Sequence, residues 1–343
     1  MTDTPRGTDP GGPARLTDPD PAAGAQPPVK RPRRGKRIAV LSGLGVLVLF
    51  GAAVAAGFLA VNHLVSRVPR VSVGQLPASG GAQTILITGA GFGATGWPSP
   101  ASAAEFSGLI MLMHVNASQK AGAVVSIPPM VVVPVPGKGD TELENALAAG
   151  GPTLLVRAVE QLTHVPINHY ARIDFDHVSQ VINALGGVDV TMLKPGASIG
   201  YKFHAGVNEL NGVTAIYYVR DRSVSNADRI LRQQNLMRAI LSKVASRHLL
   251  TTPVKMYRVL DAVTSMLTVS SNFTNSELMS LVKELSSLDG KAGTFVTAPS
   301  HQAGKKVLLD RPASGQLWRA ITDDSVAAFA RQDPQTVTPV AVP

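Results

Sequence analysis

The residues with the clearest chemical potential are four arginines near the middle of the chain. Arg220, Arg222, Arg229 and Arg232 lie within thirteen residues, and Gln233 follows directly. A guanidinium donates two parallel hydrogen bonds to phosphate oxygens, and several such groups suit a pyrophosphate better than a single carboxylate. The residue types and their spacing therefore indicate an anion site with several contacts.

The first two arginines follow an apolar run. The segment AIYYVRDR predicts a strand that ends in Arg220, Asp221 and Arg222. Alternate side chains of a strand share a face. Arg220 and Arg222 are therefore predicted to point one way and Asp221 the other.

The other two arginines are predicted to lie on a helix. Ser225 and Asp228 match a capping box, which places Ser225 at the N-cap and Asp228 in the first turn. Arg229, Arg232 and Gln233 follow at spacings of three and four, so they are predicted to share a face of the first two turns. Free backbone N–H groups and the helix dipole make this end of a helix attractive to anions.

These charges have a second interpretation. Asp221 and Asp228 could neutralise the arginines, because clustered charges commonly form solvated, salt-bridged faces. The spacing alone leaves an anion site and a salt-bridged helix start open. Both carboxylates are therefore kept as supporting residues of the predicted site.

The composition narrows the classes of chemistry. None of the 343 residues is cysteine, which excludes disulfides, thiolate metal sites and a cysteine nucleophile. The formal net charge is +9, and residues 1–37 hold eight Lys/Arg against four Asp/Glu. The rest of the chain is only mildly basic, so no nucleic-acid partner is expected.

An apolar segment predicts attachment to a membrane. Ile38–Val61 has no charged residue, and a helix of that length would reach about 36 Å, enough to cross a bilayer. Six basic residues between Lys30 and Arg37 precede it. The pattern predicts a single-pass signal anchor in the cell membrane, with residues 1–37 cytoplasmic and the body extracytoplasmic. A cleaved signal peptide is the minor alternative.

Beyond this segment, patterns typical of strands and helices alternate. QTILITGAG, LIMLMHVN, GAVVSIPP, MVVVPVPG, HYARIDF and GVDVTML predict strands. Residues 139–163 predict two helical pieces broken at Gly150-Gly151-Pro152, and DHVSQVINALGG predicts a helix closed by Gly186. The alternation predicts an α/β domain with helices on both faces of a sheet.

The chain is predicted to have six parts. After residue 250, TNSELMSLVKELSSL predicts a helix, and GTFVTAPS and KKVLLD predict edge strands. The predicted parts are a disordered basic tail (1–37), a transmembrane anchor (38–61), a linker (62–82), the anion-binding domain (83–250), an extension packing on it (251–332) and a disordered tail (333–343).

Several stretches together resemble the LytR–CpsA–Psr family of bacterial envelope proteins. They are SGLIMLMHVN, AVVSIP, AAGGPTLLVRAVEQLTHVPINHYARIDF, INALGGVDV, LNGVTAIYYVRDR and DRILRQQ. The resemblance covers roughly residues 83–250. It implies a three-layer domain with a central mixed β-sheet flanked by helices and a hydrophobic channel for a polyprenyl tail. It also implies a membrane-anchored protein that transfers a glycopolymer from undecaprenyl pyrophosphate to peptidoglycan or another acceptor.

The resemblance assigns roles to the arginine cluster. Pyrophosphate binding would fall on Arg220, Arg222, Arg229, Arg232 and Gln233. The implied partners are a polyprenyl-(pyro)phosphate lipid with its linked glycan and the membrane, and a second protein of the same family is a further candidate. Family members use Mg²⁺ with carboxylate ligands.

The chain departs from the family pattern where the family has its metal-binding carboxylates and other arginines. The replacements are Gly91 and Gly93, Phe106 to Leu109, Ile127 to Met130, Glu142, Glu144 and Asn226. No Mg²⁺ ligands are therefore found at the expected positions, and no catalytic residue is assigned. Phosphoryl transfer needs positive charge against the developing phosphate charge, which arginines and a metal normally supply. The sequence favours a lipid-binding relative with reduced or lost transferase activity over an active phosphotransferase.

Overall fold

The structure is a computed structural model and describes most of the chain beyond the predicted anchor. The described residues are 59–78, 81–90, 108–118, 122–221, 223–245, 253–287 and 293–343. The predicted cytoplasmic tail and all but the last three residues of the predicted anchor lie outside these ranges. Among the helices within them, none is both long enough and apolar enough to span a bilayer.

The described strands belong to one large sheet and four small ones. Their bounds are β1 Arg70–Val71, β2 Gln83–Ala90, β3 Ile110–Val115, β4 Gly122–Ser126, β5 Val132–Val135, β6 Gly139–Glu142, β7 His169–Asp174, β8 Val188–Met192, β9 Gly196–Ser198, β10 Tyr201–Phe203, β11 Gly206–Leu210, β12 Leu267–Ser270, β13 Gly293–Thr297, β14 Ser300–Ala303, β15 Lys306–Leu309 and β16 Ala341–Val342. The large sheet has the order β1-β12-β7-β2-β3-β4-β13. Its pairs β1/β12, β2/β7 and β4/β13 are parallel and the others antiparallel, so the sheet is mixed.

Helices cover both faces of the large sheet. Their bounds are α1 Glu144–Thr163, α2 Phe175–Leu185, α3 Gly212–Arg220, α4 Asn226–Ala245, α5 Pro253–Met266, α6 Asn275–Ser287, α7 Arg311–Thr322 and α8 Val326–Gln332. Helices α1, α7 and α8 share one hydrophobic core with the sheet, and α2 to α6 share the other.

The two cores follow from the alternation of side chains along the strands. Ile85 and Ile87 of β2 belong to the core beneath α2 to α6, whereas Leu86 belongs to the core beneath α1. A strand buried on both faces is apolar along most of its length. The largely apolar runs at β2 and β3 therefore belong to the centre of a three-layer α/β fold, which confirms the predicted mixed sheet flanked by helices.

Two predicted helix boundaries have a clear conformational cause. Gly151 has φ 64° and ψ −164° inside α1, a region open essentially only to glycine, which confirms the break at Gly150-Gly151-Pro152. Gly186 ends α2 with φ 81°, and its N–H bonds to the carbonyls of Ile182 and Asn183. This left-handed cap confirms the predicted end of that helix.

The predicted strand at AIYYVRDR is wrong, because this segment is helix α3. Asn211 caps the helix by accepting hydrogen bonds from the N–H groups of Val213 and Thr214 at 3.0 Å, and the Thr214 hydroxyl bonds with the Asn211 N–H. A capping box starts a helix strongly enough to outweigh the strand preference of the aromatic and β-branched residues that follow.

The boundaries also differ from prediction on both sides of the domain. The predicted linker contributes β1 and the buried side chains of Leu64, Val65 and Val68. The predicted extension supplies β12 and β13 to the large sheet, with β13 at its edge as expected.

The end of the chain also differs from the predicted disordered tail. Pro334–Thr336 forms a 3-10 helix, and β16 pairs with β8. The pairing buries Val342 completely.

Candidate functional site

The first turns of α4 carry the most polar part of the candidate site. The Ser225 hydroxyl accepts a hydrogen bond from the Asp228 N–H at 3.1 Å, and its carbonyl accepts from the Arg229 N–H at 3.0 Å. These bonds confirm Ser225 as the N-cap predicted from the sequence. The cap fixes where the free N–H groups of the helix end point.

A small crevice lies between these turns and the ends of two central strands. It is lined by Gly108, Leu109, Ile110, Ser126, Ile127, Pro129, Ile230 and Gln233. The Gln233 side chain reaches across it and donates a hydrogen bond to the Gly108 carbonyl at 3.3 Å. The structure thus places Gln233 beside two segments where the chain departs from the family pattern.

Arg229 directly precedes Ile230, which lines the crevice. Its guanidinium is half-buried and donates to the Asn226 side-chain oxygen at 2.5 Å. The Asn226 amide in turn contacts the Met130 sulfur at 2.7 Å. Arg229 is therefore held between the helix start and the turn that follows β4, at the edge of the crevice.

A carboxylate faces Arg229 from the start of α1. Burial and the nearby Glu142 raise the pKa of Glu144 above its ordinary value, while Arg229 opposes this rise. The Glu144 N–H bonds to the Pro129 carbonyl at 2.9 Å, which ties this carboxylate to the crevice wall. The site therefore combines arginine, amide and carboxylate groups on adjacent elements.

Arg232 occupies a different environment from Arg229. Its side chain is only 2% exposed and forms an ion pair with Asp221 at 2.9 Å. The guanidinium also donates to the carbonyls of Pro343 at 2.9 Å and Tyr218 at 3.4 Å, and it lies 5.3 Å from the Tyr218 ring centre. These contacts join α3, α4 and Pro343, so Arg232 in this structure holds buried parts of the protein together.

Asp221 is the counterion of this pair. Burial raises its pKa, but hydrogen bonds from Ser223 and the contact with Arg232 outweigh burial and hold the pKa below its ordinary value. The Ser223 N–H and hydroxyl both bond to the same carboxylate oxygen, at 3.0 and 2.6 Å. Asp221 is therefore the charged partner of Arg232, as one of the two interpretations of the sequence allowed.

The remaining predicted residues are placed as follows. Arg220 is the last residue of α3 and is half-buried. Arg222 lies outside the described residues. Asp228 is half-buried in the first turn of α4. The structure thus places Gln233 in the crevice wall and Arg229 next to the lining residue Ile230, whereas Arg232 is buried against Asp221.

One polar group in the crevice was missed at the sequence level. Ser126, the last residue of β4, is 2% exposed, and its hydroxyl has no hydrogen-bond partner among the described residues. A buried hydroxyl without a partner is costly and calls for an explanation such as a ligand contact. The available signal was a serine between the apolar run AVV and Ile127-Pro128, where the strand ends.

The described residues do not provide an evident Mg²⁺ site. Within the described ranges, no three His, Asp or Glu side chains converge as metal ligands. Pro129 lines the crevice, and Met130 follows it in the sequence. The residues present at this wall do not fit the hard oxygen ligands that Mg²⁺ requires.

Comparison with known sequences places these features in a family context. The chain is 31% identical to the probable cell wall biosynthesis protein LcpB and 33% identical to the cell wall biosynthesis protein LcpA, both of Corynebacterium glutamicum. Each alignment covers 47% of the chain, but only 39% and 31% of these relatives. A teichoic acid transferase TagU of Enterococcus faecalis is 35% identical over 38% of the chain and 45% of its own length. The chain thus matches less than half the length of each of these relatives.

Solved structures share the fold at lower identity. A LytR-Csp2A-Psr enzyme from Actinomyces oris superposes with a TM-score of 0.60 and 22% identity, over 74% of this chain and 95% of that one. Bacillus subtilis TagV gives 0.59 and 21%, over 72% and 98%. The LytR_cpsA_psr family matches residues 61–311, which is most of the chain. The protein therefore belongs to the LytR–CpsA–Psr family.

Proposed function

We propose that the protein acts in building the bacterial cell envelope by binding a polyprenyl-(pyro)phosphate-linked glycopolymer. The observation that carries this proposal is the placement of Arg229 and Gln233 beside one crevice at the capped start of α4. Guanidinium, amide and helix N–H groups together suit the oxygens of a phosphate ester. The names of the sequence relatives, which include cell wall biosynthesis proteins and a teichoic acid transferase, support a role with envelope polymers.

Within this proposal, the predicted residues divide into contacts and supports. Arg229 and Gln233 contact the phosphate groups, and Arg220 and Arg222 contribute further positive charge. Arg232 and Asp221 act as positioning residues because their charges are buried against each other. The pair holds the end of α3 against α4.

Reduced or lost transferase activity is part of the same proposal. The crevice wall opposite α4 contains Ile127 and Pro129, where transfer chemistry would need positive charge against the phosphate oxygens. A helix start with arginine can hold an anion without that wall. Binding therefore needs less from this site than phosphoryl transfer does.

An active phosphotransferase is the second candidate, and the raised pKa of Glu144 favours it. A carboxyl group with a raised pKa beside the phosphate site could accept the proton of an attacking hydroxyl. Glu144 lies near Arg229 and Glu142, so it is the best-placed base among the described residues of this wall. A solved relative, TagT bound to LIIa-WTA, has the same fold at a TM-score of 0.57 and 21% identity.

The cellular setting of this function follows from the sequence. We propose that Ile38–Val61 anchors the chain in the cell membrane and that residues 62–343 face away from the cytoplasm. In this arrangement the crevice at the start of α4 meets lipid-linked substrates at the outer surface. A second protein of the same family would be the natural partner of a form that binds without transfer.

The test is a titration of the full chain, in detergent micelles, with a short-chain polyprenyl pyrophosphate. We expect binding by the wild type and its loss in Arg229→Ala/Gln233→Ala. Lys305→Ala, which removes one positive charge from the exposed turn between β14 and β15, should bind like the wild type. Binding that ignores Mg²⁺ supports a binder, whereas binding tightened by Mg²⁺ together with transfer to peptidoglycan supports the phosphotransferase. If the double variant binds as the wild type does, the crevice is not the phosphate site.

A further inference from the structure

A β-hairpin next to the site carries an exposed apolar tip. Strands β9 and β10 pair with Ser198 opposite Tyr201, which leaves a two-residue turn of Ile199 and Gly200. Both turn residues have positive φ, 49° for Ile199 and 78° for Gly200. The Ile199 side chain is 62% exposed at the tip.

Isoleucine is a poor choice for this turn on structural grounds. A two-residue hairpin turn with positive φ at both positions favours Asn-Gly, because asparagine tolerates the left-handed conformation and β-branched residues do not. The exposed Ile199 side chain gains little burial to offset this cost. Neither backbone preference nor packing accounts for the residue, so a contact outside the folded domain is the simplest explanation.

The residues around the tip indicate the chemistry of that contact. Leu193 is 63% exposed and Tyr201 is 37% exposed, and both lie in the segment between β8 and β11. Lys194 and Lys202 are exposed as well, and no Asp or Glu occurs between Asp189 and Glu209. Exposed aliphatic side chains with tyrosine and flanking lysines match the interface of an anionic lipid bilayer.

The base of the hairpin connects to the helices that carry the candidate site. The Phe203 ring makes edge-to-face contacts with Tyr201 at 4.9 Å and with Tyr218 at 5.7 Å. Arg232, on α4, lies over the ring of Tyr218, which is on α3. The hairpin is therefore linked through Phe203 and Tyr218 to Arg232, which holds α4 against α3.

We propose that the β9–β10 hairpin inserts its tip, Ile199 with Tyr201, into the headgroup region of an anionic membrane. The insertion fixes the orientation of the crevice at the start of α4 relative to the lipid surface from which a polyprenyl-linked substrate is presented. It rests on the membrane location within the proposed function and is independent of transferase chemistry. A tether raises the effective concentration of the domain at the bilayer, so a small apolar tip is sufficient.

The absence of cysteine permits a clean test. The full chain with Ile199→Cys carries one environment-sensitive dye and is reconstituted into vesicles of phosphatidylcholine and phosphatidylglycerol, with quenchers attached to the lipid. The control is Lys305→Cys with the same dye, since this residue lies in the exposed turn of a second hairpin. No polyprenyl ligand is added, so the result does not depend on phosphate binding.

We expect the dye at position 199 to shift to a blue emission and to be quenched several-fold more than the dye at position 305. The difference should shrink in vesicles of phosphatidylcholine alone. A water-like, weakly quenched dye at position 199 in the anionic vesicles overturns the proposal, as does equal quenching at both positions.

A second variant separates insertion from folding. Ile199→Asn suits the turn better than the native residue, so the protein remains folded and its thermal unfolding temperature should not fall. With a dye placed by Lys202→Cys on the same hairpin, lipid quenching should drop several-fold when Ile199→Asn is added. Unchanged quenching in that pair would show that the apolar tip does not enter the membrane.

Discussion

Helix α4 has two faces that carry the same residue type in opposite environments. On one face, Arg229 and Gln233 lie half-buried beside the crevice. On the other, Arg232 is buried and bound to Asp221. Around the helix axis, a side chain three residues on is rotated by about −60° and one four residues on by about +40°. Arg232 and Gln233 therefore lie on opposite sides of Arg229, and a protein surface packed on one side buries only one of them.

The difference shows what each arginine contributes. A buried guanidinium that is bound to a carboxylate is shielded from a ligand, but its loss would leave Asp221 charged and without its counterion in the interior. A guanidinium at the edge of a crevice contributes little to folding because water solvates it in either state. We therefore expect the two faces of α4 to separate stability from binding.

The largest expected effect is on stability, from Arg232→Met. Removing one partner of a buried ion pair costs about 3–5 kcal/mol, because the other charge stays buried without its counterion. Urea unfolding of the full chain measures this loss. Arg229→Met is the matched control and should change the free energy of unfolding by at most about 1 kcal/mol. Equal losses in the two variants would contradict the division between the faces.

The pH dependence provides a second view of the buried face. The pKa of Asp221 lies below its ordinary value of 3.8. Its contribution to the free energy of unfolding is therefore fully present above pH 3.8 and is lost as the pH falls through the folded-state pKa. In Asp221→Asn this acid-dependent part should disappear, which unfolding measured across the acid range would reveal. If the free energy of unfolding of Asp221→Asn falls with acid as steeply as that of the wild type, other carboxylates cause the loss of stability.

The third prediction concerns the open face of α4 and affects binding. Arg229→Ala removes charge-assisted hydrogen bonds worth about 1.5–3 kcal/mol, so the affinity for a short-chain polyprenyl pyrophosphate should fall by roughly 10- to 100-fold. Calorimetric titration of the full chain measures it. Thermal unfolding should stay close to that of the wild type. A variant that loses stability but keeps its affinity would place Arg229 with Arg232 in the interior.

Much of the fold was predictable because its signals are local. Uninterrupted apolar runs, Gly150-Gly151-Pro152 and Gly186 each act within a few residues, and they gave the central strands and the ends of helices. The apolar pattern of AIYYVRDR predicts a strand, but the cap formed by Asn211 and Thr214 starts helix α3 at this point. Segment 334–342 could not be placed from its composition, because its order depends on pairing with β8.

The site was predictable only in part, for a related reason. Arg229 and Gln233 follow from the cap and the helix period. The burial of Arg232 depends on Asp221, Tyr218 and Pro343, and the last of these is 111 residues away in the chain. Local spacing carries no information about such a partner. The crevice wall likewise forms from strand ends that only the folded sheet brings together.

The fourth prediction tests the carboxylate that faces Arg229. Burial keeps the pKa of Glu144 above its ordinary value of 4.5. The free energy of unfolding therefore falls as the pH rises from 4.5 to the folded-state pKa, because the carboxyl ionises more easily in the unfolded chain. Glu144→Gln should remove this loss and strengthen anion binding by about 0.5–1 kcal/mol, a factor of roughly 2–5, because a negative charge near the ligand is gone.

The same variant distinguishes the two proposed functions. A binder keeps its function in Glu144→Gln, and titration shows tighter binding. A phosphotransferase that uses this carboxylate as a base would lose glycopolymer transfer while it binds more tightly. Glu142→Gln is the control, since it removes a neighbouring charge without changing the residue that faces Arg229. Weaker anion binding in Glu144→Gln would show that the carboxylate acts through a bound cation.

The smallest expected effect comes from Ser126→Ala on the opposite wall. The Ser126 hydroxyl is buried without a partner among the described residues, so its removal should leave the free energy of unfolding unchanged or slightly higher. If the hydroxyl bonds to a phosphate oxygen, affinity should fall by about 0.5–1.5 kcal/mol, roughly 2- to 10-fold. Thr88→Val is the opposite control, because the Thr88 hydroxyl is buried but bonded to Tyr170 at 2.8 Å. That variant should lose stability and keep its affinity. If Ser126→Ala also keeps its affinity, the Ser126 hydroxyl is not part of the phosphate site.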